Sequence, residues 1–349
     1  MSFHPLLLFT TILASVPAIS RANSIFTITD LGTLGGSTSH ALSVNASGQV
    51  VGEAMTSFGV YRAFAYWKGP MIDLGTLGGD YSSASGINDE AQVVGTATTA
   101  ANARHAFLFS FATGIMTDLG TLGGNSSGAA AINNHGFIVG SAALPSGSSR
   151  AFAYANGVMY DLGTLGGDFS AATAIDDNNV IVGNADTPLK LGQMYNQSAF
   201  VFFNGSMHNI SDWGTNTIVV ASGVSDAGIV GNYDGDPLGG FGPTGFIMNG
   251  SLINISPSED VSSEDGINQA GLAVGYEVDA TSGIFGPQYA SIYAGGVNYD
   301  LNTLVNLSGS DFTQLTEATA ISNNGYIVGN GTTKSGEVHA FLLTPIPTP

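Results

Sequence analysis

Gly124-Asn125-Ser126-Ser127-Gly128 matches the Gly-x-Ser-x-Gly elbow of serine hydrolases, in which a tight strand-to-helix turn lifts a nucleophilic hydroxyl clear of a sheet. The match falls in a loop that recurs along the chain, and its sister loops lack the serine, so it reads as part of a repeat. Gly240-Phe241-Gly242-Pro243-Thr244-Gly245 matches Gly-x-Gly-x-x-Gly. A strand pattern follows it instead of a helix, so no helix N-terminus would cradle a pyrophosphate. The histidines past the N-terminus are His40, His105, His135, His208 and His339. None pairs at i, i+4 as a zinc site on a helix would require, and two sit in a recurring triplet, which points to packing or hydrogen bonding. Asp234-Gly235-Asp236 is the nearest approach to a calcium loop and lacks its spacing. Glu264, Asp265 and Glu317 lie on segments expected to line a central channel, where paired carboxylates could cleave a glycosidic bond. No catalytic residue, metal site or cofactor is assigned on these grounds.

Composition narrows the field further. Seven basic against 26 acidic residues give a net charge of −19. Nucleic-acid affinity comes largely from Lys and Arg displacing counterions, so nucleic acid and anionic membranes are excluded as partners. The absence of cysteine removes disulfides, thiolate metal sites and a cysteine nucleophile together. Glycine stands at 49 residues with no Gly-X-Y period.

The N-terminus reads as a secretory signal peptide over residues 1–22. The apolar run Leu6–Ala14 is shorter than the roughly 20 residues a membrane span needs. Ser20-Arg21-Ala22 then offers small residues at the −3 and −1 positions of a cleavage site. Residues 23–349 are expected to form one domain, extracellular or at the cell surface, monomeric and without a membrane span.

The elements that must position any site come from internal repetition. Asp-Leu-Gly-Thr-Leu-Gly-Gly occurs unchanged at Asp30–Gly36, Asp73–Gly79, Asp118–Gly124 and Asp161–Gly167. Weaker versions stand at Ile210–Gly214, Ile253–Ser256 and Asp300–Leu304. A Val-Gly pair recurs seven times, ending at Gly52, Gly95, Gly140, Gly183, Gly231, Gly275 and Gly329. An Ala-Phe marker or its variant recurs at Phe64, Phe107, Phe152, Phe200, Phe246, Ile292 and Phe341. Each unit of about 45 residues reads as four short strands, with Asn-x-x-Gly turns supplying the local bonds and positive φ. Small residues such as Ala129-Ala130-Ala131 suit first strands that converge on an axis.

The ends are out of phase. The chain offers a lone fourth strand at Ile25–Asp30 and a lone third strand at His339–Leu343. Pairing them predicts an all-β, seven-bladed β-propeller closed by its N- and C-terminal strands, with no sheet edge left open at the seam.

With these markers in hand, the sequence resembles the HAF-repeat extracellular proteins. The His-Ala-Phe triplet stands at His105–Phe107 and His339–Phe341. It is degraded to Arg-Ala-Phe at Arg62 and Arg150 and to Ser-Ala-Phe at Ser198. The resemblance covers Ile25 to Leu343. It implies export and a repeat fold, and it implies no reaction. The Leu343-Thr344-Pro345-Ile346-Pro347 end is similar to the lead-in of a bacterial C-terminal sorting signal without its anchor. Nine Asn-x-Ser/Thr sequons matter only in a glycosylating host.

Loop length carries the functional expectation. From the Val-Gly glycine to the third-strand marker, the spacing is 12 residues in four units but 17, 15 and 17 in units four to six. The insertions span Asn184–Ser198, Asn232–Gly245 and Tyr276–Ser291 and carry Tyr195, Tyr233, Phe241, Phe285 and Tyr289. These five aromatics are the candidate ligand-binding residues, because binding residues ride on loops of a rigid scaffold. The expected function is a secreted, non-catalytic binding module for a glycan or an extracellular protein. The alternatives are a hydrolase or lyase with carboxylates at the channel mouth, and a passive matrix protein.

Overall fold

A computed structural model describes residues 24–188, 197–210, 218–234, 244–250, 252–254, 262–278 and 286–347. The signal-peptide segment, Tyr195, Phe241, Phe285, Ser211–Gly214, Ile255-Ser256 and Gly235-Asp236 lie outside the described residues, as do the side chains of Asp234 and Glu264. Among the described residues, seven four-stranded antiparallel sheets form, each a meander of consecutive strands except the last. Blade one, for instance, runs Gly35–Val44, Val50–Thr56, Tyr61–Tyr66 and Ile72–Asp73. The first strand of each blade contacts the first strand of the next, and that of blade seven (Phe312–Ile321) contacts that of blade one, so the blades form a ring. Among the described residues, no helix is long and apolar enough to cross a membrane.

Blade seven is composite, as the phase of the chain ends requires. Its inner three strands are Phe312–Ile321, Ile327–Thr333 and Val338–Pro345, and its outer strand is Phe26–Asp30. The antiparallel register runs from Phe26 opposite Pro345 to Asp30 opposite Phe341. Ile346 N–H donates to Ile25 O and Leu31 N–H to Ala340 O, extending the seam at both ends. The protein is a closed seven-bladed β-propeller.

Two of the repeat markers are halves of one packing unit. Every first strand carries a register shift near its middle, between Ala41 and Ser43 in blade one and between Ala84 and Gly86 in blade two. The extra residue of such a bulge drives the strand toward its neighbour. The neighbour answers with the Val-Gly glycine. A Cβ built on Gly52 would lie 1.9 Å from His40 O, and one on Gly95 2.0 Å from Ser83 O. The same site is closed to 2.1, 2.1, 1.9 and 2.0 Å at Gly140, Gly183, Gly231 and Gly329. From the far side comes the Ala-Phe ring: Phe107 stands opposite Gly95 in register, with Cε1 3.0 Å from where a Cβ would be. These phenylalanines are completely buried; in blade six the register puts Ser291, not the expected Ile292, opposite the glycine, and Ile292 pairs one residue back with Val274.

Candidate functional site

The most repeated motif turns out to build the scaffold. In Asp-Leu-Gly-Thr-Leu-Gly-Gly, which links the outer strand of one blade to the inner strand of the next, the Asp30 carboxylate accepts from Gly32 N–H at 2.8 Å. Asp73, Asp118 and Asp161 repeat this contact to Gly75, Gly120 and Gly163. Thr33 Oγ1 donates to Gly36 O and accepts from Gly35 N–H. The histidine of the His-Ala-Phe triplet joins the same aspartate: His105 Nδ1 lies 2.8 Å from Asp118 Oδ2 and His339 Nδ1 3.0 Å from Asp30 Oδ2. Both histidines are thus tied to the scaffold, as their repetition suggested.

Sequence reasoning missed a serine nine residues after each of these aspartates. Ser39, Ser82, Ser127 and Ser170 are buried, and each bridges two blades. Ser127 Oγ accepts from Ala106 N–H at 2.8 Å and donates to Gly120 O at 2.5 Å. This serine, the fourth residue of the Gly-x-Ser-x-Gly match, has both its bonds engaged in structure. Ser127→Ala would orphan a buried N–H, so a loss of about 1–3 kcal/mol is expected in chemical denaturation. A change below about 0.5 kcal/mol would show that the bridge contributes little.

On the opposite face, the turns between first and second strands close around the axis at a cavity of about 210 Å³. Side-chain amides there link successive blades. Asn45 donates to Asn88 O, Asn88 to Asn133 O, and Asn133 to Asp176 O, at 2.9–3.1 Å. Beside them Ala46 N–H reaches Asp89, Asp89 N–H reaches Asn134, and Asn134 N–H reaches Asp177. The belt resumes from Ser225 to Asn268 O and from Asn268 to Ser322 O. At Asp176 a carboxylate stands where sister blades have a donor. Burial pushes its pKa up; bonds from Val180 and Asn178 N–H oppose this, and the Asp226 and Asp177 charges add to it. A raised folded-state pKa stabilises the fold below the unfolded pKa, and that contribution is lost as pH rises through the folded value. Asp176→Asn restores a donor and removes the charge. It is expected to stabilise the protein at neutral pH by about 1 kcal/mol and to remove the fall in thermal stability that Asp176 causes as pH rises from its unfolded through its raised folded pKa. Melts across pH check both, and an Asn variant less stable at pH 7 would contradict the account.

The larger cavity, about 710 Å³, opens on the connector face between blades six and seven. Two irregular segments of the chain meet there. One is the third insertion, from which Pro287 and Tyr289 line the cleft. The other is the connector after Asp300. In units one to four 22 residues separate the motif aspartate from the Val-Gly glycine, whereas 29 separate Asp300 from Gly329. That spacing was the available signal for this site. The extra length makes a 3-10 turn at Leu301–Thr303 and then a parallel bridge from Val305 to Phe26 of the closing strand. Asn302 pins the connector to blade seven, donating to Leu315 O at 2.9 Å and accepting from Leu315 N–H at 2.7 Å. Gln314 Nε2 donates to Gln288 O, tying blade seven to blade six. The Tyr289 hydroxyl donates to Glu277 Oε2 at 2.6 Å, and Asn298 holds the other Glu277 oxygen.

Of the five aromatic candidates, Tyr289 lines this cleft. Tyr233 does not: it pairs with Thr244 in an extended second strand and packs against the apolar cluster of Val219, Ala221 and Phe246. Of the three carboxylates, Asp265 and Glu317 both act on Tyr276, whose pKa is raised by burial first and then by their charges. Glu317 Oε2 accepts from Asn330 at 3.1 Å.

No family model and no curated protein matches the sequence. Solved structures do match in shape. The β-propeller domain of the Trilobed protease from Pyrococcus furiosus, described as having an open velcro topology, superposes with a TM-score of 0.62 at 9% identity, over 93% of this chain and 98% of that one. The Pyrococcus horikoshii acylaminoacyl peptidase (TM-score 0.56, 8% identity) and a Mycobacterium tuberculosis puromycin-hydrolyzing peptidase (0.53, 11%) match over 89% and 93% of this chain. The matched regions are only 52% and 55% of those two peptidases. At such identities the likeness is one of fold: this chain is built like the propeller domains of these proteins.

Proposed function

We propose that the protein is an exported, non-catalytic binding propeller that engages a glycan or an extracellular protein at the cleft between blades six and seven. One observation carries the reading: two of the length irregularities, the unit-six insertion and the connector after Asp300, converge on one cavity of about 710 Å³. Irregular loops that meet on a regular, rigid frame are where binding residues ride. The His-Ala-Phe resemblance and the N-terminal segment support export, and the net charge of −19 disfavours polyanions. A hydrolase acting through Asp265 and Glu317, grouped around Tyr276, is the second reading.

Replacing residues 301–315 by the blade-one connector, residues 31–38, removes the cleft and leaves the ring motif. On arrays of glycans and extracellular proteins, the parent is expected to bind and the graft to lose that binding while melting cooperatively. Equal binding by both would place the ligand elsewhere. Turnover of a glycan substrate retained by the graft and lost in Glu317→Gln would favour the second reading.

A further inference from the structure

The chemistry of the cleft narrows its ligand, an argument that rests on the binding reading above. Its lining combines an aromatic ring (Tyr289) with amides and hydroxyls (Asn306, Gln314, Thr303, Ser308) and contains no Lys or Arg. A sugar presents an apolar C–H face and a fringe of hydroxyls that both donate and accept, so it needs this mixture. A carboxylate, sulfate or phosphate would enter without a cation to meet it, and an unpaired buried charge is strongly penalised. The one carboxylate in the lining, Asp300, has Oδ1 already accepting from the Asn302 backbone and side chain at 2.8 Å. An apolar anchor from a protein partner fits poorly, since Val305 is buried in the core and Leu307 packs against it. The volume lies within the roughly 300–1,000 Å³ of small-ligand pockets. We infer that the cleft recognises an uncharged oligosaccharide, with Tyr289 as the stacking platform and Asn306 and Gln314 meeting sugar hydroxyls.

The site is organised in advance of any ligand. The bond to Glu277 fixes the Tyr289 ring, and the Gln288 carbonyl fixes Gln314. Groups already held lose less entropy on binding. Ser24, just ahead of the closing strand, also lines the cavity, together with residues of blades six and seven. A ligand held by the folded cleft and not by the unfolded chain also raises the melting temperature by mass action.

The test titrates full-length protein with cellohexaose, maltohexaose, xylohexaose, mannohexaose and hexagalacturonate by calorimetry, with melts in parallel. At least one neutral hexasaccharide is expected to bind and raise the melting temperature, with hexagalacturonate at least tenfold weaker. Asn306→Ala and Gln314→Ala should each weaken binding about fivefold or more, the worth of one hydrogen bond, and Tyr289→Ala more than tenfold. Asn306 is exposed and Gln314 half-buried, so these two keep the test open if Tyr289→Ala misfolds. No binding by any neutral hexasaccharide, or affinity unchanged in both polar variants, overturns the inference. Preference for the uronate also overturns it but leaves a binding propeller standing, whereas silence on the panel and the arrays alike removes both readings.

Discussion

Deleting residues 24–30 is expected to abolish the single cooperative melt, not to shift it by a few degrees. Those residues form the outer strand of blade seven, and their removal exposes the edge from Phe341 to Pro345. An open edge of that length is a template for aggregation. Phe26 is only 5% exposed and sits in the cluster with Leu304, Val305, Phe312 and Leu343. Truncating such a phenylalanine alone costs about 3–5 kcal/mol, a large part of the 5–15 kcal/mol that holds a typical protein folded. Calorimetry with size-exclusion chromatography would show a broad, low-temperature transition and soluble aggregates. A monomer melting within about two degrees of the parent would mean that ring closure contributes little to stability.

Gly95→Ala is expected to be one of the most damaging single methyls among the described residues. The new Cβ would meet Ser83 O at 2.0 Å on one side and the Phe107 ring at 3.0 Å on the other. The first contact is backbone, so relief requires the first and second strands of blade two to part, and ladder bonds go with them. Overpacking a tight core costs about 1–3 kcal/mol even where side chains can yield; here a loss at or above the top of that range is expected. That corresponds to roughly 5–10 °C in melting temperature. Gly75→Ala tests positive φ alone, since φ is +81° there with nothing within 4 Å of the added carbon. A loss at Gly95→Ala no larger than at Gly75→Ala would show that the close approach of Ser83 O contributes little to the choice of glycine.

The fold was readable because its contacts repeat, and each marker had a local physical cause. Val-Gly and Ala-Phe recur together because the bulge demands both, and the chain ends betray closure because neither completes a blade. The blade-to-blade bonds were not readable. Ser127 is one serine in a serine-rich loop, and its partners, Ala106 and Gly120, come from the preceding unit. The amide belt joins residues 43 to 54 positions apart, such as Asn45 with Asn88 and Asn268 with Ser322, where no local pattern reports pairing. The candidate site was half legible. The insertion spacing led to Tyr289, but it also led to Tyr233, which an extended strand lays half-buried against the core. The connector after Asp300 escaped because the other connectors were read as identical motifs rather than measured as spacings.

The amide belt and the serine bridges have a genetic consequence. Each blade presents one set of groups to the unit before it and the complementary set to the unit after, a head-to-tail interface. A duplicated unit therefore arrives already matched to both neighbours, which suits a gene that grows by copying its own segments, and the four unchanged connectors are its most uniform stretch. The same interface is blind to whether its two sides share a peptide chain. Cut in the turn between blades three and four and expressed as two pieces, the protein carries at each break the surface that the other lacks, and co-expression is the natural way to reassemble it.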